Sequence, residues 1–276
     1  MTLLFKFLSI LPLWLAHAVG AVMGWLVFLC SGVYRRRFLE NARQAGLNWH
    51  QWMPAVAAGG KQIGELPRLW LGSAVPVFWQ GAEHVDAALL RGKGVVFLTP
   101  HLGCFEVTAQ AYAQRYGQTQ QPVTVLYRPP RKAWLRELVG RARARPGLDT
   151  APTTMAGVKQ MVKALKRGQA LGLLPDQVPP AGLGVWAPFF GRRAYTMTLS
   201  ARLARQTDAT VLLIWGERLS WGRGFTVHVE PSEQPLPSDA SLAAAQINAA
   251  MECLVLRCPQ QYLWAYARYK QPRQDA

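Results

Sequence analysis

The segment from Val95 to Glu106 reads Val-Val-Phe-Leu-Thr-Pro-His-Leu-Gly-Cys-Phe-Glu and contains a short apolar run followed by a histidine. The run from Val95 to Thr99 lies between Gly94 and Pro100, a pattern typical of a strand that is buried on both faces. Apolar side chains at helical spacing follow the histidine. The segment therefore predicts a strand-to-helix turn, where reactive residues of α/β folds usually lie.

His101 lies in this turn, and Glu106 follows five positions later. On a continuous helix this spacing would separate the two side chains by about 140° around the axis. If His101 instead lies in the loop and Glu106 in the first helical turn, the carboxylate can bind one imidazole nitrogen and leave the other as a general base. His228 and Glu233 have the same spacing, but Pro231 lies between them and no helix begins there. His101 and Glu106 are therefore the candidate catalytic residues, with a structural loop histidine as the competing interpretation.

The 276 residues include 31 Lys and Arg against 15 Asp and Glu, which gives a net charge of +16. Such a charge favours an anionic partner, either lipid, nucleic acid or an acidic protein. Because 50% of the residues are hydrophobic and only 17% are charged, the composition favours a membrane over nucleic acid. The length is sufficient for one domain with a full core plus an attachment element.

The four cysteines form no Cys-x-x-Cys pair, and no histidine cluster accompanies them. This pattern predicts neither a metal site nor a disulfide framework, and it fits a reducing compartment. Cys104, beside the candidate histidine, is an alternative nucleophile, although a small apolar residue in the first helical turn is the simpler interpretation.

The N-terminus predicts a membrane-attached segment. From Phe7 to Val33 the side chains are apolar or small, a length that crosses a bilayer core of about 30 Å. Arg35, Arg36 and Arg37 follow directly, which predicts that the rest of the chain lies on the cytoplasmic side. We therefore predict a membrane-anchoring helix at residues 1–34 and a catalytic domain at residues 35–276.

Two other interpretations of this N-terminal segment stay open. Pro12 and His17 also allow a helix that lies in one leaflet, and a buried core helix is the third possibility.

Further apolar runs predict strands, and helical patterns lie between them. The predicted strands are 123–127, 170–174, 210–215 and 225–230, and the predicted helices include 83–90, 132–145, 154–167, 196–205 and 241–257. Residues 186–191, Trp-Ala-Pro-Phe-Phe-Gly, are predicted to form a bulky apolar loop. This order predicts an α/β fold with a mostly parallel central sheet covered by helices.

Polar residues follow two of these strands. Arg128 comes directly after the strand at 123–127, and Asp176 and Gln177 follow the strand at 170–174. An acid at the end of a buried strand is a candidate site residue, although it also suits the capping of a turn.

Taken together, these features resemble the late acyltransferases of lipid A biosynthesis, the lauroyl and myristoyl transferases within the wider glycerolipid acyltransferase superfamily. The matching features are the apolar N-terminus, His101-x4-Glu106, Tyr127-Arg128-Pro129, Pro175-Asp176-Gln177, Pro188-Phe189-Phe190-Gly191 with Thr196, and Tyr262-Leu263-Trp264 with Arg268-Tyr269-Lys270. The histidine motif is common to the superfamily, whereas the combination in this order is more specific. In the closing segment, Tyr266 and Ala267 stand where family members usually have His and Arg.

The resemblance implies transfer of an acyl chain from a thioester to a lipid hydroxyl. His101 would be the general base and Glu106 would orient its imidazole, with Asp176 as a further orienting residue. Arg128 would stabilise the oxyanion or bind an acceptor phosphate, and Gln177 would belong to the substrate site. No bound cofactor is implied, because the acyl thioester of acyl carrier protein or coenzyme A is a co-substrate.

The resemblance also implies a location and partners. The location is the bacterial inner membrane with the catalytic domain on the cytoplasmic side. The partners are acyl carrier protein and an anionic lipid acceptor, and no nucleic acid is expected. The basic segments 132–145 and 154–167 would meet the carrier protein, lipid phosphates, or both.

The sequence alone leaves three alternatives open. The acceptor of the acyl chain could be a lysophospholipid or an amino-acid-based lipid instead. The chain could be a non-catalytic basic protein that binds membranes or nucleic acid, in which case His101 is dispensable. It could also be a hydrolase, in which case Cys104 is essential.

Overall fold

The computed structural model describes residues 2–119, 121–127, 132–232 and 234–274. A seven-stranded sheet with helices on both faces confirms the predicted α/β architecture. Its strands are β1 Val77–Gln80, β2 Val95–Leu98, β3 Val123–Tyr127, β4 Leu148–Pro152, β5 Ala170–Leu173, β8 Thr210–Arg218 and β9 Phe225–Pro231, in the spatial order β1-β9-β8-β2-β5-β3-β4. A separate antiparallel hairpin consists of β6 Gly184–Phe189 and β7 Arg192–Met197.

Strand β2 lies in the middle of the sheet and is buried on both faces, as the sequence predicts. Val95 and Phe97 pack into one apolar core, and Val96 and Leu98 pack into the other. β2 pairs in parallel with both β5 and β8, and the pair of β8 and β9 is the antiparallel one. The carboxyl ends of β2 and β5 therefore meet at the same edge of the sheet.

The helices form layers on the two faces of the sheet and an additional N-terminal group. The N-terminal helices are α1 Thr2–Ser9, α2 Leu13–Cys30, α3 Gly32–Gln44, α4 Trp49–Gly64 and α5 Leu66–Leu71. Helices α6 Ala82–Leu90, α7 Phe105–Tyr116 and α8 Ala133–Arg143 cover one face, and α9 Met155–Lys166, α10 Leu199–Thr207 and α11 Ala240–Arg257 cover the other.

The N-terminal apolar run is divided rather than forming the single helix predicted at residues 1–34. Pro12 separates α1 from α2 and adopts an extended ψ of 145°, because its missing N–H and fixed ring interrupt a continuous helix. By length and composition alone, α2 is long and apolar enough to cross a membrane. The division of the chain into an anchor and a catalytic domain stays a prediction.

The loop predicted at residues 186–191 is wrong, because this segment belongs largely to the hairpin of β6 and β7. The hairpin turn contains Phe190 and Gly191, both with positive φ, of 47° and 72°. Helix α10 consequently begins at Leu199, three residues later than predicted. The proline and the bulky side chains of this segment hid the alternation that would have indicated strands.

Candidate active site at the carboxyl end of the sheet

His101 lies in the loop that joins β2 to α7, and this loop is held from two sides. Leu263 donates its N–H to the carbonyl of His101 at 3.1 Å, and Gly103 donates to the carbonyl of Gln261 at 2.9 Å. Gly103 has a φ of 58°, and a Cβ at this position would lie 2.0 Å from the carbonyl oxygen of Gly216. Only glycine fits this turn, which fixes the direction in which His101 leaves the backbone.

The imidazole of His101 is bound at both nitrogens by residues that follow β5. Nδ1 lies 2.7 Å from Oδ1 of Asp176, and the backbone N–H of His101 donates to Oδ2 of Asp176 at 2.8 Å. Nε2 lies 2.9 Å from the amide nitrogen of Gln177. Because β5 lies beside β2 in parallel register, residues about 75 positions apart in sequence come together here.

Asp176 is 2% exposed, yet its pKa is lowered from the ordinary value. Burial raises this pKa, but the attraction and the hydrogen bonds of His101 outweigh burial, and Arg268 contributes in the same direction. Tyr262 also donates its hydroxyl to Oδ2 at 3.2 Å. An ionised Asp176 accepts the Nδ1 proton of His101, which leaves the lone pair of Nε2 as the base and as the acceptor for Gln177.

Glu106 lies in the first turn of α7 and is largely buried, but it binds Arg143 of α8. The guanidinium carbon of Arg143 lies 4.8 Å from the ring centroid of Tyr127, so the cation also stacks on an aromatic face. Within the described part of the chain, no hydrogen bond joins Glu106 to His101. The predicted hydrogen bond between them is therefore wrong, because Asp176 takes the position at Nδ1 and a cation takes the carboxylate. A catalytic role for Glu106 stays a prediction.

A cavity of about 250 Å³ opens beside His101 and extends between α7 and the sheet. Glu106 and Arg143 lie in its wall together with the histidine. Most of the wall is apolar and includes Phe97, Phe105, Ala109, Tyr112, Val125, Gly172 and Ile214. The site thus combines a base, a few polar groups and an apolar channel of a kind that suits a hydrocarbon chain.

Of the remaining predicted site residues, Arg128 lies outside the described residues. Its proposed contact with an oxyanion or an acceptor phosphate therefore stays a prediction. Asp176 and Gln177 do lie at the candidate site, although the structure contains no substrate that would test their roles.

Cys104 is unsuited to nucleophilic chemistry. It is 2% exposed, and burial together with the charge of Glu65 raises the pKa of its thiol well above the ordinary value. The thiolate is the reactive form of cysteine, so this environment disfavours the hydrolase alternative. Among residues 2–119, 121–127, 132–232 and 234–274, no group of three or more His, Cys, Asp or Glu side chains is placed to hold a metal ion.

The second histidine–acid pair differs from the first. Glu233 lies outside the described residues, and His228 binds Glu217 through Nε2 at 2.9 Å. The ring of His228 also stacks on Trp215, with centroids 4.3 Å apart. This histidine is a packed surface residue of β9 rather than part of the cavity.

The hairpin of β6 and β7 and the C-terminal segment that contains Arg268 are joined by buried hydrogen bonds. Arg268 is 2% exposed and donates to the carbonyl of Tyr195 at 2.8 Å and to Oγ1 of Thr196 at 2.7 Å. Asn248 of α11 joins the same network by donating to the carbonyl of Pro188 at 2.8 Å. Together with Asn248, the motif residues Thr196 and Arg268 form a buried polar scaffold, and they do not line the cavity beside His101.

Sequence reasoning did not assign site roles to Tyr262 and Arg143. Tyr262 reaches Asp176 because its backbone forms an antiparallel bridge with Leu102, one residue after His101. Arg143 stood in a basic helix that the sequence indicated as a docking surface. An arginine on the apolar side of that helix, near the buried Leu138 and Val139, was the signal that it faces inward.

Comparison with known proteins gives consistent similarities over most of the chain. Residues 61–271 match the family described as bacterial lipid A biosynthesis acyltransferase. The chain is 29% identical over 195 residues to the lipid A biosynthesis lauroyltransferase of Escherichia coli (strain K12), which covers 69% of this chain and 60% of that protein. It is 27% identical over 192 residues to the lipid A biosynthesis palmitoleoyltransferase of the same strain, with the same two coverages.

The lipid A biosynthesis myristoyltransferase of that strain is 24% identical over 196 residues, which are 68% of this chain and 57% of that protein. This chain thus spans about three-fifths of the length of these relatives. The family match begins inside α4 and includes His101, Asp176 and Gln177.

Proposed function

Because this chain belongs to the bacterial lipid A biosynthesis acyltransferase family, we propose that it transfers a fatty acyl chain from a thioester to a hydroxyl of a lipid A precursor. The observation that carries this proposal is the position of His101. His101 lines an apolar cavity, and its Nδ1 is held by a buried carboxylate. A base beside a channel for a hydrocarbon chain is the minimal requirement for this reaction.

In the proposed reaction His101 acts as general base. Nε2 removes the proton of the acceptor hydroxyl while the hydroxyl oxygen attacks the thioester carbonyl carbon. When the tetrahedral intermediate collapses, the carbon–sulfur bond breaks and the leaving thiolate takes the proton from the imidazolium. Asp176 stabilises the imidazolium between these two steps. A new ester bond replaces the thioester, and no acyl-enzyme forms.

Gln177 has a specific part in this scheme. Its amide donates to Nε2 in the structure without substrate, so the acceptor hydroxyl must displace it before the base can act. The displaced N–H then lies next to the reacting atoms and can donate to the oxyanion of the tetrahedral intermediate. Loss of one such donor typically costs about 10²–10³ in kcat.

Glu106 acts through Arg143 in this proposal. The Glu106 carboxylate binds the guanidinium of Arg143 in the wall of the cavity that His101 also lines. It does not bind the imidazole. Arg143 is thereby available to polar atoms of the substrates, in addition to the role proposed for Arg128. This arrangement explains why a carboxylate five residues after His101 can matter without touching the imidazole.

The acyl chain of the donor would occupy the cavity between α7 and the sheet. The wall there is apolar, and Gly172 of β5 leaves space because it has no side chain. A Cβ at this position would lie 3.2 Å from Cγ1 of Val125, another residue of the wall. A hydrocarbon chain in this space gains about 25 cal/mol for each Å² of apolar surface removed from water.

For the donor we propose acyl carrier protein rather than free coenzyme A. Lys159, Lys163 and Lys166 are exposed on α9, and this helix carries no acidic residue. A cationic helix of this kind is complementary to an acidic carrier protein and would increase the rate of encounter. The N-terminus of α9 lies at the same edge of the sheet as His101, because α9 leads into the parallel strand β5. Lys159 is the lysine nearest to that end, and Lys163 and Lys166 lie in the last turn, so the carrier protein would contact α9 along its length.

We also propose that α2 attaches the protein to the cytoplasmic face of the inner membrane by lying in one leaflet. Trp14, Val22 and Leu26 are about half exposed or more on this helix. Leu13 and Phe28, near its two ends, are buried in the cores of the domain. These two residues are about 22 Å apart along a helix, so α2 lies along the domain over most of its length.

The function is tested by incubating the purified protein with a dodecanoyl thioester and a lipid A precursor and measuring the acceptor by mass spectrometry. The wild type should add one acyl chain to the acceptor. His101→Ala should reduce the rate by about 10²–10⁴ and leave the fold unchanged. Wild-type-like transfer by this variant would refute the mechanism, and absence of transfer by the wild type would refute the function.

The attachment is tested separately with Val22→Lys and Leu26→Lys. Both substitutions lie on the exposed face of α2, so the double variant should leave vesicles of phosphatidylethanolamine and phosphatidylglycerol, and the fraction still bound should be released by salt. Its kcat in detergent should equal that of the wild type. Retention of the variant on vesicles in high salt would place the membrane contact elsewhere.

A further inference from the structure

A buried cluster of ionisable groups lies outside the cavity and joins three distant parts of the chain. Glu65, between α4 and α5, has no exposed surface, and Arg218 at the end of β8 is 7% exposed. Arg218 donates from Nε to Oε2 and from Nη2 to Oε1 of Glu65, both at 2.6 Å. His17 of α2 adds a third contact, from Nε2 to Oε2 of Glu65 at 2.9 Å.

Such a cluster is a poor device for stability alone. Taking charges out of water is costly, and replacing a buried ion pair by apolar residues of similar volume is often neutral or stabilising. The bidentate geometry does, however, fix the relative positions of both partners. The cluster therefore fixes the relative positions of the elements at its two ends.

One end depends on the contact of α2 with α4. The two backbones touch there, because a Cβ at Gly60 would lie 1.9 Å from the carbonyl oxygen of Gly20 and 2.5 Å from the nitrogen of Gly24. His17 precedes Gly20 by three residues and therefore projects from the same side of the helix. His17 reaches Glu65 only when α2 is seated on these glycines.

The other end reaches the loop of His101. Nη2 of Arg218 donates to the carbonyl of Gly103 at 3.4 Å, two residues after the histidine. The backbone N–H of Arg218 donates to Oε1 of Gln261 at 2.9 Å, and the carbonyl of Gln261 accepts the N–H of Gly103 at 2.9 Å. A continuous chain of hydrogen bonds thus runs from α2 to the catalytic loop.

We propose that His17, Glu65 and Arg218 are positioning residues for His101, so that the geometry of the catalytic loop depends on the seating of α2 against α4. This inference rests on the proposed acyl transfer. It makes α2 a part of the active-site structure in addition to an attachment element. Loss of the cluster should therefore lower kcat, while KM for donor and acceptor stays the same because the cavity is unchanged.

The first test compares His17→Leu with His17→Gln in the full-length protein in detergent, with a dodecanoyl thioester and a lipid A precursor as substrates. The Gln amide can still donate to Glu65, whereas Leu cannot. His17→Leu should lower kcat by about 10–100-fold, the loss typical of a small misplacement of a catalytic group, and His17→Gln should restore most of it. His50→Leu is the matched control, since His50 is exposed on α4 and lies outside the cluster.

The second test separates positioning from stability. The double variant Glu65→Leu with Arg218→Met removes both charges together and leaves only His17 without its partner, so it should fold and lose less Tm than either single substitution. If the cluster positions the loop, this folded variant is still slow, with KM unchanged. Wild-type kcat in His17→Leu or in the double variant, or a loss confined to KM, would overturn the inference. Because the wild type serves as reference, a failure of the proposed function would appear instead as absence of transfer in every protein.

Discussion

Asp176 binds His101 through both carboxylate oxygens, with Oδ1 2.7 Å from Nδ1 and Oδ2 2.8 Å from the backbone nitrogen. The first bond fixes the tautomer and rotation of the ring, and the second fixes the backbone that carries it. A single side chain thus sets both the direction and the protonation pattern of the base.

This relationship predicts that Asp176→Asn is more damaging than Glu106→Gln. The neutral amide cannot stabilise the imidazolium, so kcat should fall by about 10²–10⁴. Glu106→Gln weakens only the hold on Arg143, and we expect a smaller loss of kcat. The measurement is the steady-state rate of acyl transfer for both variants. A larger loss in Glu106→Gln would show that Glu106 acts on the imidazole in the substrate complex.

Gln177→Glu should change the pH profile. A carboxylate 2.9 Å from Nε2 favours the protonated imidazole, so a higher pH is needed to free the base. The acid limb of kcat/KM should therefore move upward by about 1–3 pH units. Gln246→Glu is the matched control, because Gln246 binds the carbonyl of Gln234 far from the cavity. An acid limb that does not move would exclude a contact between Gln177 and the working base.

The parts of the fold that local patterns determine were predictable from the sequence. β2 is an unbroken apolar run, and burial on both faces requires such a run. The hairpin of β6 and β7 was missed because Pro188 and the pair of phenylalanines conceal its alternation. The choice of Asp176 over Glu106 at Nδ1 depends on the neighbourhood of β2 and β5 in the sheet, and no local spacing encodes which strands are neighbours.

The buried ion pair is the second feature that could not be predicted from the sequence. Glu65 and Arg218 are 153 positions apart, and neither stands in a recognisable motif. Their pairing is a tertiary contact between the residue that joins α4 to α5 and the end of β8. Only His17 gave a signal, because a histidine within an apolar helix requires a polar partner.

Gly172 should limit the length of the acyl chain. Gly172→Val would project a side chain into the cavity next to Val125, so long chains should lose space while the contacts of His101 are unchanged. We expect kcat/KM for a hexadecanoyl thioester to fall by about 10–200-fold, the usual cost of excess methylenes in an apolar pocket. An octanoyl thioester serves as the control and should react as before. Equal losses for both chains would mean that the acyl chain lies elsewhere.

Because of Glu65, the free energy of unfolding should decrease at acid pH. Burial raises the pKa of Glu65, but the charge and hydrogen bonds of Arg218 and the contact with His17 lower it from 4.5 to about 2. Since the folded value is depressed, the stabilisation is fully present above about pH 4.5 and is lost as the pH falls towards 2. A shift of this size corresponds to a difference on the order of 3 kcal/mol in the free energy of unfolding between the ionised and the protonated form of Glu65. Replacing the whole ion pair by apolar residues is a different comparison, because it removes both charges.

The measurement is chemical denaturation of the wild type and Glu65→Gln between pH 6 and the acid limit of about 2. The wild type should lose more stability over this range than the variant. Glu40→Gln is the control, because Glu40 is mostly exposed and 4.0 Å from Arg36. Parallel curves for the wild type and Glu65→Gln would contradict the depressed pKa.

The contacts of the basic segment 132–145 limit which of its cations can dock a carrier protein. Arg143 binds Glu106 inside the cavity, and Arg145 donates to the carbonyl of Leu69 at 2.6 Å. Neither of these two arginines of the segment 132–145 is therefore free to dock a carrier protein, and reversing their charge would disturb the site itself. The exposed lysines of α9 are the appropriate residues for a test of docking.

Reversing Lys159, Lys163 and Lys166 to Glu should raise the KM for an acyl carrier protein donor and leave kcat nearly unchanged. Exposed charges of this kind act on encounter and on uniform binding, not on the transition state. Added salt should mimic the substitution in the wild type, because such charges are screened over about 8–10 Å at physiological ionic strength. A pantetheine thioester without the carrier protein should react equally with both proteins. If the reversal instead raised the KM of the lipid acceptor and left that of the donor unchanged, the lysines would face the membrane and the carrier protein would dock on another surface.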